Sequence, residues 1–201
     1  MFAQVIQGQV ADREAVRAAF DSWTENLGPS SIGWLGTTAG VTDDGTCIVI
    51  ARFEDAEQAK ANSDRPEQDQ AWAEMSKLFT GEVTFMDSTT VLADLQGDPG
   101  EAGFVQVIRG RSSNPDRANE LMTQDSDKWA SFRPDILGSV SVVNGNDYAV
   151  VIYFTSEAEA REAEQRDMPD EMKAQMEEMN SLEIGEPTFL DLKDPWLYSP
   201  K

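Results

Sequence analysis

The chain has 201 residues and a formal charge of −21, from 37 Asp and Glu against 16 Lys and Arg. A phosphate backbone rewards cations that displace its counterions, so nucleic acid and anionic membrane surfaces are poor partners. With no histidine and a single cysteine, Cys47, the chain has no Ser-His-Asp or Cys-His nucleophile, no proximal haem ligand and no intrachain disulfide, and neither a metal site nor a bound cofactor is expected.

In chain order, residues 2–8 (FAQVIQG) form a short apolar run that predicts a strand. Because this strand starts at once, no leader peptide is expected; no apolar run approaches the ~20 residues of a membrane helix either, so a cytoplasmic protein is expected. Asp12 caps a predicted helix over 13–27, where Val16, Phe20, Trp23 and Leu27 recur at helical spacing and Gly28-Pro29 stops it. Strands are predicted over 34–41 and 46–53 around the turn Asp43-Asp44-Gly45. Residues 56–79 read as helix interrupted near Pro66, and 83–86 as a last strand.

The second half repeats the first. Residues 104–110 (FVQVIRG) echo 2–8, Leu35-Gly36 returns as Leu137-Gly138, and 81–87 (GEVTFMD) returns as 185–191 (GEPTFLD). Helices are expected over 114–132 and 157–180, and Asn144-Gly145 supplies a hairpin turn. Matches in one order identify a duplication: a first repeat over 1–92, a Gly-, Pro- and acid-rich linker over 93–102, and a second repeat with a C-terminal tail over 103–201. Each repeat is β-α-β-β-α-β, the ferredoxin-like arrangement of the α+β class. Residues 47–51 and 148–153 are apolar at nearly every position, the pattern of strands covered on both faces. Two sheets packed together as an intrachain pseudo-dimeric α/β barrel would cover them, giving a monomer able to assemble further.

On these features the chain resembles the dimeric α/β-barrel superfamily, which includes the antibiotic-biosynthesis monooxygenases, as a tandem fusion. The nearest local likeness is residues 53–66 (FEDAEQAKANSDRP), with Phe53 on the family's aromatic, Asn62 on a frequent histidine and Arg65-Pro66 on Ser-Pro. The histidine position holds Ala163 or its neighbour in the second repeat. The resemblance implies a cofactor-independent oxygenase, while Asn62 in place of histidine argues against haem degradation.

The candidate ligand-pocket residues are Gln4, Gln106, Trp34, Arg52, Asn62, Trp72 and Tyr153. Gln4 and Gln106 are amides inside apolar strands, and a buried amide without a partner costs about 1–3 kcal/mol; a ligand between the sheets, the other glutamine or a backbone group would each satisfy them. Arg52 alternates with Ile48 and Ile50. Inside a cavity it would favour an anion; at the rim it would pair with a carboxylate. Trp34, Trp72 and Tyr153 either wall a pocket or fill the core. The methionines 168, 172, 176 and 179 form a stripe suited to core filling, and Cys47 reads as a buried structural thiol. No catalytic residue is assigned. Two functions remain open: a small-molecule-binding or monooxygenase-like protein acting on an apolar or aromatic compound in the barrel cavity, and a non-catalytic, side-chain-filled barrel that docks a protein.

Overall fold

The computed structural model describes residues 1–200 and divides into two compact units, one formed by Met1–Thr90 with the residues from Asp194 onward, the other by Val91–Lys193. In chain order the first unit contains β1 (Phe2–Gln9), α1 (Arg13–Asn26), β2 (Trp34–Val41), β3 (Thr46–Phe53), α2 (Ala56–Ser63), α3 (Pro66–Met75) and β4 (Thr84–Ser88). The second contains β5 (Thr90–Leu95), β6 (Phe104–Arg111), α4 (Pro115–Thr123), α5 (Ser126–Phe132), β7 (Ile136–Asn144), β8 (Asp147–Phe154), α6 (Glu157–Glu164), α7 (Asp170–Ser181) and β9 (Thr188–Leu192). The last strand, β10 (Trp196–Tyr198), belongs to the first sheet.

Local chemistry accounts for the element ends. The side chains of Asp12, Asp55, Asn114 and Ser156 each accept a backbone N–H three residues on, satisfying a donor that the first helical turn leaves free. Gly45 and Gly145 sit at φ +84° and +60° and close the two central hairpins. Pro66 starts α3 where its missing N–H has no helical partner to lose.

The first sheet has the order β10-β2-β3-β1-β4, every neighbouring pair antiparallel, and the second β5-β7-β8-β6-β9, antiparallel from β7 to β9. The repeated Leu-Gly becomes the same device in both: register shifts between Trp34 and Gly36, and between Ile136 and Gly138. A Cβ on Gly36 would stand 2.8 Å from the Tyr198 carbonyl, and one on Gly138 would stand 2.8 Å from the Asp94 carbonyl. The glycines therefore admit β10 and β5 as edge strands.

These edge strands correct the expected boundaries. Residues 93–95 continue β5 rather than open a linker, and the C-terminal tail contains β10. The Gly and Pro residues that signalled a linker begin only at Gly97, past the strand. The single helix expected over 114–132 is two, because Asp125 takes the left-handed conformation at φ 57° between α4 and α5. Residues 157–180 likewise divide into α6 and α7 around Pro169.

Both faces of the first sheet are buried. Ile6, Val49, Val41 and Cys47 pack with Val16 and Phe20 of α1 and Met75 of α3, while Ala3, Val5, Ile48 and Ile50 on the other face are almost without exposure. The second sheet is likewise buried on both faces, at Val105, Val107, Val140 and Val151 on one and at Phe104 and Phe154, packed with Ala160 of α6, on the other. The fold is α+β, a ferredoxin-like unit duplicated within one chain.

Candidate functional site

In the first unit a cavity of about 600 Å³ lies between the sheet and its three helices, within the range of small-molecule sites. Strand alternation builds its floor. Phe2, Gln4 and Ile6 of β1, Thr37 of β2 and Val49, Ala51 and Phe53 of β3 all face it. Trp23 and Thr24 come from α1, Asn62 from α2, and Gln68 and Trp72 from α3, while Phe85 and Asp87 of β4 and Tyr198 of β10 complete the wall.

The aromatic rings are held by one another and by hydrogen bonds. Trp23 meets Trp34 edge-on at 5.1 Å between centroids, and Trp72 meets Phe85 edge-on at 5.5 Å. Trp34 Nε1 donates to Thr37 Oγ1 at 2.9 Å, and Trp23 Nε1 donates to Gln68 Oε1 at 2.7 Å. With their polar atoms engaged, the indoles offer apolar faces to the space. The Thr24 hydroxyl is buried in this wall without a hydrogen-bond partner among the described residues, an exception of the kind that marks room for a ligand or water.

Gln4 and Asp87 sit directly across β1 and β4, and Gln4 Nε2 donates to Asp87 Oδ1 at 2.8 Å. Asp87 is exposed at the cavity mouth and forms no ion pair among the described residues. Lys60 also lines the cavity but pairs with Asp64 at 2.6 Å, one helical turn along. Asn62 is buried, and its Oδ1 accepts from the Ile32 N–H and from Arg65 Nη1, each at 3.1 Å. Its amide thus fixes the loop into β2 while forming part of the wall. The Tyr198 phenol donates to Asp21 Oδ1 at 2.8 Å; burial first, and then this carboxylate, hold it protonated above the ordinary tyrosine range. Burial pushes the Cys47 thiol up to about 12, which leaves it inert as a nucleophile.

Of the sequence candidates, Gln4, Trp34, Asn62 and Trp72 come together in this cavity. Gln4 shares a face with Phe2 and Ile6, and that face is the helix side of its sheet. Arg52 does not join them. It shares the opposite face with Ile48 and Ile50, and its Nε is buried without a partner among the described residues. The cavity therefore lacks the arginine that would have favoured an anion. Tyr153 occupies the matching place in β8, opposite Gly138, and is fully buried in the second unit. Gln106 also lies in the second unit and donates to Asp191 Oδ1 at 2.8 Å. The methionine stripe divides: Met172 is core, while Met168, Met176 and Met179 line a second cavity of about 290 Å³ beside Trp129.

Sequence reasoning missed Phe2, Trp23, Phe85, Asp87, Lys60 and Tyr198. Asp87 carried a usable signal, since it ends the repeated GEVTFMD segment; antiparallel register then brings it opposite the repeated glutamine. Tyr198 carried none, because its place depends on a chain end returning to the first sheet.

No protein-family model and no curated protein matches this chain. Solved structures do match over its whole length. A candidate monooxygenase from Lactobacillus acidophilus NCFM aligns with a TM-score of 0.76 at 13% identity, covering 99% of this chain and 96% of the other. At this identity the likeness is one of fold. A second candidate monooxygenase, from Fusobacterium nucleatum, aligns with a TM-score of 0.76 at 11% identity, covering 98% and 94% of the two chains. An anthrone oxidase-like protein aligns with a TM-score of 0.71 at 13% identity, covering 99% and 93%.

Proposed function

We propose that this chain is a monooxygenase-like, small-molecule-binding protein whose first unit takes an apolar aromatic compound. The observation that carries the reading is the 600 Å³ cavity with Trp23, Trp34, Trp72 and Phe85 in its wall and a single Gln4–Asp87 pair at its polar edge. Such a space, mostly apolar with a few placed polar groups, suits ligand binding. A side-chain-filled barrel that only docks a protein has no use for it. The full-length structural neighbours described as candidate monooxygenases and as anthrone oxidase-like support the same direction.

The chemistry follows from what the cavity contains. The proposed reaction needs only the cavity's own residues and molecular oxygen. Asp87 accepts a proton from the bound molecule, and the resulting electron-rich species reacts with molecular oxygen. A methylene carbon becomes a carbonyl while its two hydrogens and the second oxygen atom leave as water, so oxygen is the only oxidant required. The aromatic walls hold the reacting ring and exclude bulk water.

Oxygen uptake with anthrone as the probe tests this reading. The expected result is protein-dependent consumption that Trp72→Ala and Asp87→Asn each reduce by more than tenfold, as loss of a positioning or proton-accepting group does. Uptake at the buffer rate, together with no binding of anthrone, would overturn the proposal.

A further inference from the structure

The two halves hold the same pair of residues in the same geometry, but only one pair is neutralised. Gln106 and Asp191 face each other across β6 and β9 with the 2.8 Å bond that Gln4 and Asp87 show across β1 and β4. In the second unit Arg161 of α6 bonds the free oxygen of Asp191 and lays its guanidinium over the Phe104 ring, 5.2 Å from the centroid. Phe104 is completely buried beneath it. Phe104 opens β6 as Phe2 opens β1, each paired with the phenylalanine that ends the neighbouring strand.

The residue matching Arg161 in the first unit is Lys60, the fifth of α2 as Arg161 is the fifth of α6. It turns instead to Asp64. Phe2, Gln4 and Asp87 are left facing the cavity, and among the described residues no cation is bound to them. The second half thus shows what this three-residue arrangement accepts when filled: a planar, positively charged nitrogen group, stacked on a ring and bonded to a carboxylate.

We infer that the first cavity selects aromatic ligands bearing a planar cationic nitrogen head, of the amidine or guanidine class, with the head between Asp87 and Phe2 and the ring among the tryptophans. This inference rests on the proposed small-molecule reading and names the ligand class of the same site. The acidic protein, at −21, attracts such a head from a distance, Arg52 lies outside the wall, and Lys60 within it is already paired with Asp64.

Calorimetric titration with three near-isosteric probes, 2-naphthamidine, 2-naphthamide and 2-naphthoate, separates the possibilities. The amidine is expected to bind the wild-type protein about tenfold more tightly than the amide, the combined effect of a carboxylate pair and a ring face, with the carboxylate weakest. In Asp87→Asn, which leaves the other acidic residues and the Gln4 bond acceptor in place, amidine and amide should converge while amide binding is kept. Equal binding of amidine and amide to the wild type, or a cation preference that survives in Asp87→Asn, would overturn the cationic head and leave the aromatic cavity reading intact. Failure of all three probes to bind would sink both.

Discussion

The duplicated halves diverge at one place more than any other, the polar edge beside the first strand. Asp191 is closed off by Arg161, whereas Asp87, with the same glutamine partner, faces an open cavity. Wall composition follows this split. The first unit has Trp34 where the second has Ile136, and Asn62 where the second has Ala163, each at a matching register or helix position. Duplication supplied two equivalent sheets; a few side chains then made one a container and left the other largely filled. At this edge specialisation is a matter of where the cation at the fifth helical position turns: Arg161 bonds Asp191, while Lys60 pairs with Asp64.

The largest effect is expected at the tryptophan. Trp34 is buried, bonded to Thr37 and packed edge-on against Trp23, so Trp34→Ala should cost about 3–5 kcal/mol. Ile136→Ala, a half-buried position in the other half, should cost less than the ~2–5 kcal/mol typical of fully buried isoleucine. Denaturant melts of both variants compare the two halves directly. A smaller loss at Trp34 would mean that its ring is there only to meet a ligand.

Asn62→Ala comes next. It removes the acceptor for the Ile32 N–H and Arg65 and should cost about 1–3 kcal/mol by leaving partners unmet. Ala163→Asn, its counterpart, inserts an unpaired amide at a fully buried site and is expected to destabilise by a similar amount. If Asn62→Ala lowers ligand affinity without moving the melting temperature, the residue serves the ligand and not the loop.

Most of the frame was legible because duplication printed it twice. The strands 34–41 and 46–53, the Gly45 and Gly145 turns and the interruption at Pro66 all follow from local chemistry that the sequence carries openly. The edge strands were not, since β5 and β10 are short and their pairing depends on Gly36 and Gly138 admitting a distant backbone. Gln4, Trp34, Asn62 and Trp72 could be singled out as candidates, yet Gln4 could have taken either face of a sheet that is apolar on both. The face of Arg52 was open for the same reason: parity fixes which residues share a face, while only the packed helices decide which face is the cavity's.

Alkaline titration compares a matched pair of proton donors. Cys47 opposes Gly8 as Tyr148 opposes Gly110. Burial is the first cause of the upward shift in both, joined at Tyr148 by its bond to Glu183. A folded-state pKa above the unfolded one means stability that is complete below the unfolded pKa and lost as pH rises through the folded value. For Cys47 that window runs from 9.0 to about 12, with about 1.4 kcal/mol gone one unit into it. Melts of wild type and Cys47→Ala across pH 8–11 should converge as pH rises; parallel curves would show that the thiol is more open than its packing implies.

The smallest predicted effect bears most directly on the divergence. Lys60→Arg gives the first half the residue that closes the second, long enough and planar enough to bond Asp87 and cover Phe2 as Arg161 does Asp191 and Phe104. Lys60 is largely exposed and its pair with Asp64 is a surface contact, so stability should move by less than about 1 kcal/mol. Affinity for an amidine probe should fall about fivefold, because the new guanidinium competes for the same carboxylate and ring at the modest strength of an exposed pair. Affinity for the neutral amide should fall less. If Lys60→Arg leaves amidine binding unchanged while Asp87→Asn abolishes the cation preference, the difference between the halves lies in the backbone of the two helices rather than in the residue they present. The reciprocal Arg161→Lys then decides: release of Asp191 and exposure of Phe104 should create a weak amidine site in the second half, and none will appear if the helix itself keeps that edge shut.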